Sequence, residues 1–315
     1  MIRQSRVITA LFLVSLAAAQ ALGQENGRKA DVLFGKLEEA ISRVDHGLDG
    51  VMGLAILDLA SGRQILRNAD EVFPAASTIK IAVLAELYHQ SQQASSGVAG
   101  KARLTDTYTM IQSDLVDDSQ IMAGLTPGIT RVTNRDLATF MVAVSDNSAT
   151  NVLIDRVGMG NVNTLLESLG LRQTRLRRKM MDITAAREGR ENTATPLELV
   201  KLLEAIYRGK VFDKAPTEDF LKMLSTRKES PIPRLIPEDV IIANKPGALE
   251  GVRCDAGIVF AKDRPFVISV MTGYDIDERA ADDAISRIAF AAFECFERLG
   301  RSSPYGRVIS PRDSR

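Results

Sequence analysis

The chain has 315 residues and a formal net charge of zero, from 40 basic and 40 acidic side chains. This balance gives no reason to expect binding to nucleic acid or to an anionic membrane surface, and the length allows one large domain or two small ones. The two histidines and two cysteines are scattered and do not make a zinc site, and two cysteines do not make a disulfide framework. Cys254 and Cys295 either pair with each other in an oxidising compartment or stay as buried free thiols.

The first 23 residues have the pattern of a secretory signal peptide. Arg3 and Arg6 precede an apolar run over 7–19, and a small-x-small cleavage site ends at Gly23. The apolar run is too short to span a bilayer, and no later segment is apolar for about 18 residues. We therefore expect a periplasmic or secreted protein that has no membrane contact after the signal is cleaved.

The N-terminal third predicts a β-hairpin followed by a buried helix. Gly53–Leu59 is an apolar run of strand type, and a turn around Gly62 returns the chain to Gln64–Leu66. A helix is expected over Ser77–His89, where apolar side chains lie almost all round instead of on one stripe. Such a helix must be enclosed by other elements.

The rest of the chain predicts helices first and strands later. The predicted helices cover Thr133–Val144, Ser148–Val157 and a segment from the capping residue Thr195 to about Gly209. The predicted strands cover Val240–Ala243, Asp255–Ala261 and Phe266–Gly273. A final amphipathic helix carries an apolar stripe from Ile285 to Leu299.

This order of elements predicts an α/β fold in which both ends of the chain contribute strands to one antiparallel sheet flanked by helices. An all-helical segment, about 80–225, is then inserted into a catalytic domain that covers 24–300. The polar, Pro- and Gly-containing residues 301–315 predict a mobile C-terminal tail.

Three short motifs indicate acyl transfer through a serine. Ser77 and Lys80 stand three residues apart at the start of a predicted helix, so the lysine lies on the same face as the hydroxyl. A partly buried lysine has a lowered pKa and can take the proton of a serine nucleophile. Ser145-Asp146-Asn147 lies between two predicted helices, and Lys245-Pro246-Gly247 follows an apolar strand.

Each motif also has a plain structural explanation. Ser-x-x-Lys is common, and the chain has a second copy at Ser225 and Lys228 in a charged segment. A Ser-Asp-Asn turn can simply cap and separate two helices. The order of the three motifs, and the longer run around Ser145, carry the functional interpretation.

Together the motifs resemble the S-x-x-K, S-D-N and K-T-G set of class A serine β-lactamases and penicillin-binding proteins. The resemblance covers nearly the whole chain after the signal and implies that fold, with the site between the sheet domain and the helical insertion. It implies Ser77 as nucleophile, Lys80 as base, and Ser145 as the group that protonates the leaving amine. Asn147 would bind the substrate or Lys80.

The third motif would bind the rest of the substrate. The resemblance implies that Lys245 binds a substrate carboxylate and that Gly247 lets the substrate backbone approach closely. The N–H of Ala248 would complete an oxyanion hole with the N–H of Ser77. Arg253 matches, within one residue, an arginine that some class A enzymes use for the same carboxylate, although it could also be an ordinary solvated side chain.

The chain departs from the family pattern at two places. Pro246 replaces the usual Thr or Ser, which removes a hydroxyl and requires an edge strand. The family carries a water-activating Glu on an Ω-loop, and the corresponding position here is Met180. The nearest carboxylate is Asp182, which either replaces that base or only braces the loop.

The leading hypothesis is therefore a monomeric class A-like β-lactamase that acts on small molecules and needs no cofactor or nucleic acid. The lost Glu and Pro246 favour an alternative, a DD-peptidase or esterase of the same fold with slow or no β-lactam turnover. A third hypothesis is a sensor that is acylated once and stays acylated.

Overall fold

The computed structural model describes residues 29–303 and 305–308 of the chain. The predicted signal peptide, 1–23, lies outside these residues. So does most of the predicted tail, of which the described part makes an isolated bridge between Ser302 and Val308. None of the helices within the described residues combines the length and the apolar character needed to cross a membrane.

Five strands build the main antiparallel sheet, in the order β2-β1-β9-β8-β7, and four short strands form two separate pairs, β3 with β6 and β4 with β5. The strands in chain order are β1 Val51–Asp58, β2 Gln64–Arg67, β3 Phe73–Pro74, β4 Thr107–Thr109, β5 Arg131–Thr133, β6 Thr193–Ala194, β7 Ile242–Leu249, β8 Val252–Val259 and β9 Phe266–Gly273. The first hairpin and the last strand are as predicted, and the sheet does combine strands from both ends of the chain.

Helices lie on both faces of the main sheet. In chain order they are α1 29–46, α2 Lys80–Ser95, α3 Asn134–Ala143, α4 Asn147–Val157, α5 Met159–Ser168, α6 Ile183–Arg187, α7 Pro196–Tyr207, α8 Lys214–Leu224 and α9 Glu278–Arg301. Short 3₁₀ helices cover Ala76–Ile79, Gln112–Asp114, Met122–Gly124 and Ile232–Leu235.

Two apolar cores, one on each face of the sheet, hold these layers together. Leu54 and Ile56 of β1 pack with α1 and α9, whereas Ala55 and Leu57 of the same strand face α7 and the α2 layer. Because β1 is covered on both faces, its sequence is a continuous apolar run instead of an alternating one. Cys254 and Cys295 belong to opposite cores and are both free thiols, so they do not pair.

The helices α2 to α6 and α8 form the body of the region predicted as an insertion. α2 is enclosed on nearly all sides, as its sequence predicts, and runs six residues beyond the predicted end at His89. The helix α7 lies in the same stretch of sequence but packs against β1, β8 and β9. The domain boundaries therefore stay a prediction.

The strand that carries the third motif was predicted wrongly in extent. The expected strand was Val240–Ala243, with the motif after it, but β7 includes Lys245, Pro246 and Gly247. Both the N–H and the C=O of Arg253 bond to the side-chain hydroxyl of Thr272 on β9. These backbone groups therefore point away from β7, and the facing residues Ala248 and Arg253 form a pair without backbone hydrogen bonds between β7 and β8.

Facing pairs in an antiparallel ladder alternate between hydrogen-bonded and non-hydrogen-bonded, and this alternation explains why a proline can stand inside β7. Pro246 and Asp255 face each other two positions further along, again in a pair without backbone hydrogen bonds. The proline nitrogen therefore points to the free edge of the sheet, where no strand needs a donor. The edge-strand prediction from Pro246 is confirmed.

Gly247 lets β7 touch the start of the 3₁₀ helix Ala76–Ile79. A Cβ at Gly247 would lie 2.7 Å from the backbone nitrogen of Ser77 and 2.9 Å from Cβ of Ala76. Both neighbours belong to backbone or to a buried turn, so they cannot rotate away. This contact sets the distance between the sheet and the first motif.

We expect Gly247→Ala to destabilise the protein by about 1–3 kcal/mol, because the added methyl must push β7 away from Ser77. Chemical denaturation measures the change. Gly160→Ala is the matched control, since Gly160 lies in α5 with no atom near its missing Cβ. The control should be neutral or stabilising by about 0.5–1 kcal/mol. Equal stability of Gly247→Ala and the unchanged protein would contradict the packing argument.

Candidate active site

Ser77 and Lys80 stand at the junction between a 3₁₀ turn and the buried helix α2. Ser77 is half-buried in the turn, and Lys80 is the first residue of α2 with only 1% of its surface exposed. Ala76, just before the serine, has a left-handed φ of 45°. Such a conformation costs a non-glycine residue about 1–3 kcal/mol and persists only where the surroundings enforce it.

Ser145 connects the lysine to the serine. Lys80 Nζ donates to the Ser145 hydroxyl at 2.9 Å, to the Ser145 carbonyl at 2.6 Å and to Asn147 Oδ1 at 2.8 Å. The Ser145 hydroxyl in turn donates to Ser77 Oγ at 2.9 Å. The sequence predicted that Lys80 would reach Ser77 itself, but here the connection runs through Ser145.

The turn that carries Ser145 is held by Asp146. One oxygen of this buried carboxylate caps α4 by accepting from Ala149 N, and the other accepts from Ile121 N and Met122 N, each at 2.9 Å. Ser145 itself has a left-handed φ of 59°. The three bonds fix a strained turn that aims the Ser145 hydroxyl at Ser77.

Lys245 approaches Ser145 from the other side. Its Nζ donates to the Ser145 hydroxyl at 3.1 Å and to the Pro246 carbonyl at 3.0 Å, and the side chain is 1% exposed. Burial, with a further contribution from the charge of Lys228, lowers the pKa of Lys245 to about 7. Burial and the charge of Lys245 also lower the pKa of Lys80 well below its usual range.

Behind Lys245, a buried carboxylate connects β7, β8 and the preceding loop. Asp255 accepts from Asn244 Nδ2 at 2.9 Å and from Ile232 N at 3.0 Å, and burial raises its pKa to about 6. Sequence analysis did not select Asp255, although a charged residue within an otherwise apolar strand was the available signal. Lys228 belongs to the second Ser-x-x-Lys copy, which that analysis set aside.

Two backbone N–H groups, those of Ser77 and Ala248, belong to elements that meet at Gly247. Ala248 is in a pair without hydrogen bonds to β8, so its N–H points across the free edge of β7. Gly247 places that edge against the Ser77 nitrogen. The two N–H groups are thus brought close together, which is compatible with the oxyanion hole that the resemblance implies.

These groups line a pocket of about 670 Å³. Of the predicted site residues, the pocket wall includes Ser77, Ser145, Asn147, Lys245, Gly247, Ala248 and Arg253. Lys80 lies directly behind Ser145, through the bonds given above.

Asp182 does not reach the pocket. It is exposed and caps α6 by accepting from Ala185 N at 3.0 Å. Met180 stands on the pocket wall instead, with its backbone clamped by Asn151 at 2.8 and 3.1 Å. The geometry thus favours the bracing role for Asp182 and leaves an apolar side chain at the position where the resemblance predicts a water-activating Glu.

Arg253 lies at the pocket but its charge is already neutralised. It forms an ion pair with Glu278, approaches Asp282 at 3.6 Å, and donates to the carbonyls of Leu249 and Val252. A guanidinium held in this way has little left to offer a substrate carboxylate.

Comparison with known proteins places the chain in a family. The model of the Beta-lactamase enzyme family matches residues 36–296. Beta-lactamase SME-1 of Serratia marcescens is 26% identical over 91% of this chain and 97% of that protein, and an imipenem-hydrolyzing β-lactamase of Enterobacter cloacae is 27% identical over the same shares.

Solved structures agree on the fold. A β-lactamase from Sphaerobacter thermophilus has a TM-score of 0.74 and 30% identity, over 82% of this chain and 96% of that one. PBP-A has a TM-score of 0.74 and is 24% identical over 84% of this chain and 97% of that one. At this identity the likeness shows the fold alone. The family match, the shared fold and the Lys80–Ser145–Ser77 connection lead to one conclusion: the chain belongs to the β-lactamase enzyme family.

Proposed function

We propose that the protein is a serine β-lactamase of class A type that opens the β-lactam ring through an acyl-enzyme on Ser77. The hydrogen-bonded connection from Lys80 through Ser145 to Ser77 carries this proposal. Neutral Lys80 takes the Ser77 proton by way of the Ser145 hydroxyl, while Ser77 Oγ attacks the ring carbonyl. The N–H groups of Ser77 and Ala248 bind the developing oxyanion, and Ser145 protonates the departing nitrogen.

Substrate binding in this proposal depends on Lys245. Protonated Lys245 attracts the carboxylate that β-lactams carry beside the ring, and Asn147 and Gly247 border the space for the remainder of the substrate. Pro246 supplies no hydroxyl for the carboxylate, and Arg253 is paired with Glu278. Lys245 therefore bears more of the binding than it would with a hydroxyl beside it.

A second function is favoured by the pocket wall at Met180. Met180 cannot act as a general base for the water that attacks the acyl ester, and such assistance is worth about 10²–10⁴ in rate. A DD-peptidase or esterase with slow β-lactam turnover fits this wall.

Export to the periplasm or medium, action as a monomer and small-molecule substrates remain part of the proposal.

The first test is the reaction with a chromogenic cephalosporin, followed from the first milliseconds into the steady state. We expect a stoichiometric burst that forms the Ser77 ester, then turnover at a lower rate set by deacylation. Mass spectrometry should find the drug on Ser77, and Ser77→Ala should abolish both phases. Acylation that survives in Ser77→Ala would overturn the assignment of the nucleophile.

Met180→Glu should raise the deacylation rate by about 10²-fold, because it places a carboxylate on the wall that faces the acyl ester. Met180→Gln is the matched control, since it has nearly the same size and no basic group. Single-turnover decay of the isolated acyl-enzyme measures the rate. Equal rates in the two variants would show that this position cannot activate water.

The pKa of about 7 at Lys245 predicts an alkaline limb in kcat/KM for a cephalosporin with a free carboxylate. Below pH 7 Lys245 is protonated and binds the carboxylate, whereas above it the charge is lost and kcat/KM should fall about tenfold per pH unit. The methyl ester of the same cephalosporin should lack this limb. A flat profile up to pH 9 for the free acid would contradict the role of Lys245.

A further inference from the structure

A second, larger cavity adjoins the active-site pocket. It has a volume of about 1280 Å³ and lies between the C-terminal half of α8 and the start of β7, with Leu221 and Ser225 on one side and Ile241 and Ile242 on the other. The two cavities share part of their walls, namely Glu229, Ser230 and Arg234. The two cavities are therefore neighbours, separated only by these side chains.

The strand β7 shows which part of a substrate would point into this cavity. The oxyanion N–H belongs to Ala248, and three residues earlier Lys245 contacts Ser145, the group that protonates the departing atom. The departing group must therefore lie beside Lys245. Continuing in the same direction along β7 leads to Asn244 and Ile242, which line the second cavity.

The second cavity offers both a cation and apolar surface. Lys228 lines it, donates to the Leu224 carbonyl at 2.8 Å, and forms no direct ion pair with a described residue. Burial lowers its pKa to about 8, and the charge of the buried Asp255 acts in the opposite direction. Ile241 exposes 61% of its surface there, which is unusual for an isoleucine. At the junction, Arg234 is exposed and likewise has no ion-pair partner within the described part of the chain.

We propose that this second cavity binds the departing part of an extended acyl substrate, a short peptide that ends in a carboxylate, with Lys228 as the partner of that carboxylate. The inference rests on the proposed acyl-enzyme on Ser77 and extends it from β-lactams to substrates whose departing group is longer than a ring fragment. The apolar wall at Ile241 packs against the peptide between the reacting bond and the carboxylate.

The reaction with such a substrate balances without any further reagent. Ser77 Oγ bonds to the acyl carbon, the bond from that carbon to the departing atom breaks, and the Ser77 proton reaches that atom through Ser145. Water then cleaves the ester, which releases the acid and restores the Ser77 hydroxyl.

Two thioesters with the same N-acyl-D-alanyl group test the proposal. One carries mercaptoacetate as the departing group and the other mercaptoacetyl-Gly-Gly, which is longer by about 7 Å and reaches past Lys245. Released thiol is measured with a chromogenic disulfide, and both cysteines of the protein are buried. We expect kcat/KM to favour the longer thioester by about tenfold, since this quantity reports acylation and not the common deacylation step.

Variants locate the origin of the preference. Ser225→Trp fills the cavity and should bring the long-to-short ratio close to one, whereas Lys214→Trp, on the exposed outer part of α8, should leave the ratio unchanged. The unchanged protein should prefer the long thioester with a free carboxylate over the same thioester with a C-terminal amide, and Lys228→Met should remove this preference.

Two outcomes would overturn the inference, and they are distinguishable. Equal kcat/KM for both thioesters, in a protein that forms the Ser77 ester with β-lactams, overturns the cavity assignment alone. Failure to react with thioesters and β-lactams alike overturns the proposed function together with it.

Discussion

The site depends on one hydroxyl that two buried ammonium groups share. Ser145 Oγ accepts from Lys80 and Lys245 and donates to Ser77, so its three hydrogen-bonding positions are all used. Burial lowers the pKa of both lysines, and the charge of Lys245 lowers that of Lys80 further. In the proposed mechanism this lowered pKa lets Lys80 act as the base for Ser77 without a histidine.

Such crowding requires a rigid frame, and the frame is backbone. Ser145 and Ala76 both have left-handed φ values, one in the turn between α3 and α4 and one just before the nucleophile. Asp146 holds the first turn through three N–H groups, and the close contact with Gly247 holds the second. The strained φ values are therefore maintained by buried hydrogen bonds and by packing that do not involve the reacting atoms.

The sequence predicted those parts of the fold whose signals are local. The first hairpin, the cap at Thr195 and the edge position of β7 each follow from a run of apolar residues, a capping residue or a proline. The extent of β7 was missed because Pro246 and Gly247 weaken any strand pattern, and only the pairing with β8 shows that they are tolerated. The relay through Ser145 and the ion pairs of Arg253 depend on contacts between residues far apart in sequence, which local patterns do not report. The cap that Asp182 forms with Ala185 is local and could have been predicted from the sequence.

The edge strand β7 would let the proposed acyl substrates differ in their departing part while the reacting centre stays the same. Its free edge carries, in order, the wall of the second cavity, Lys245, and the N–H of Ala248, so a substrate laid along it meets each in turn. The chemistry is confined to the middle of the strand, where Gly247 meets Ser77. Two surfaces can change without disturbing Ser145: the wall of the second cavity beyond Lys245, and the pocket wall at Met180. In the proposed reaction, departing-group preference and deacylation rate are therefore separable from acylation, because they depend on surfaces that do not hold the two lysines in place.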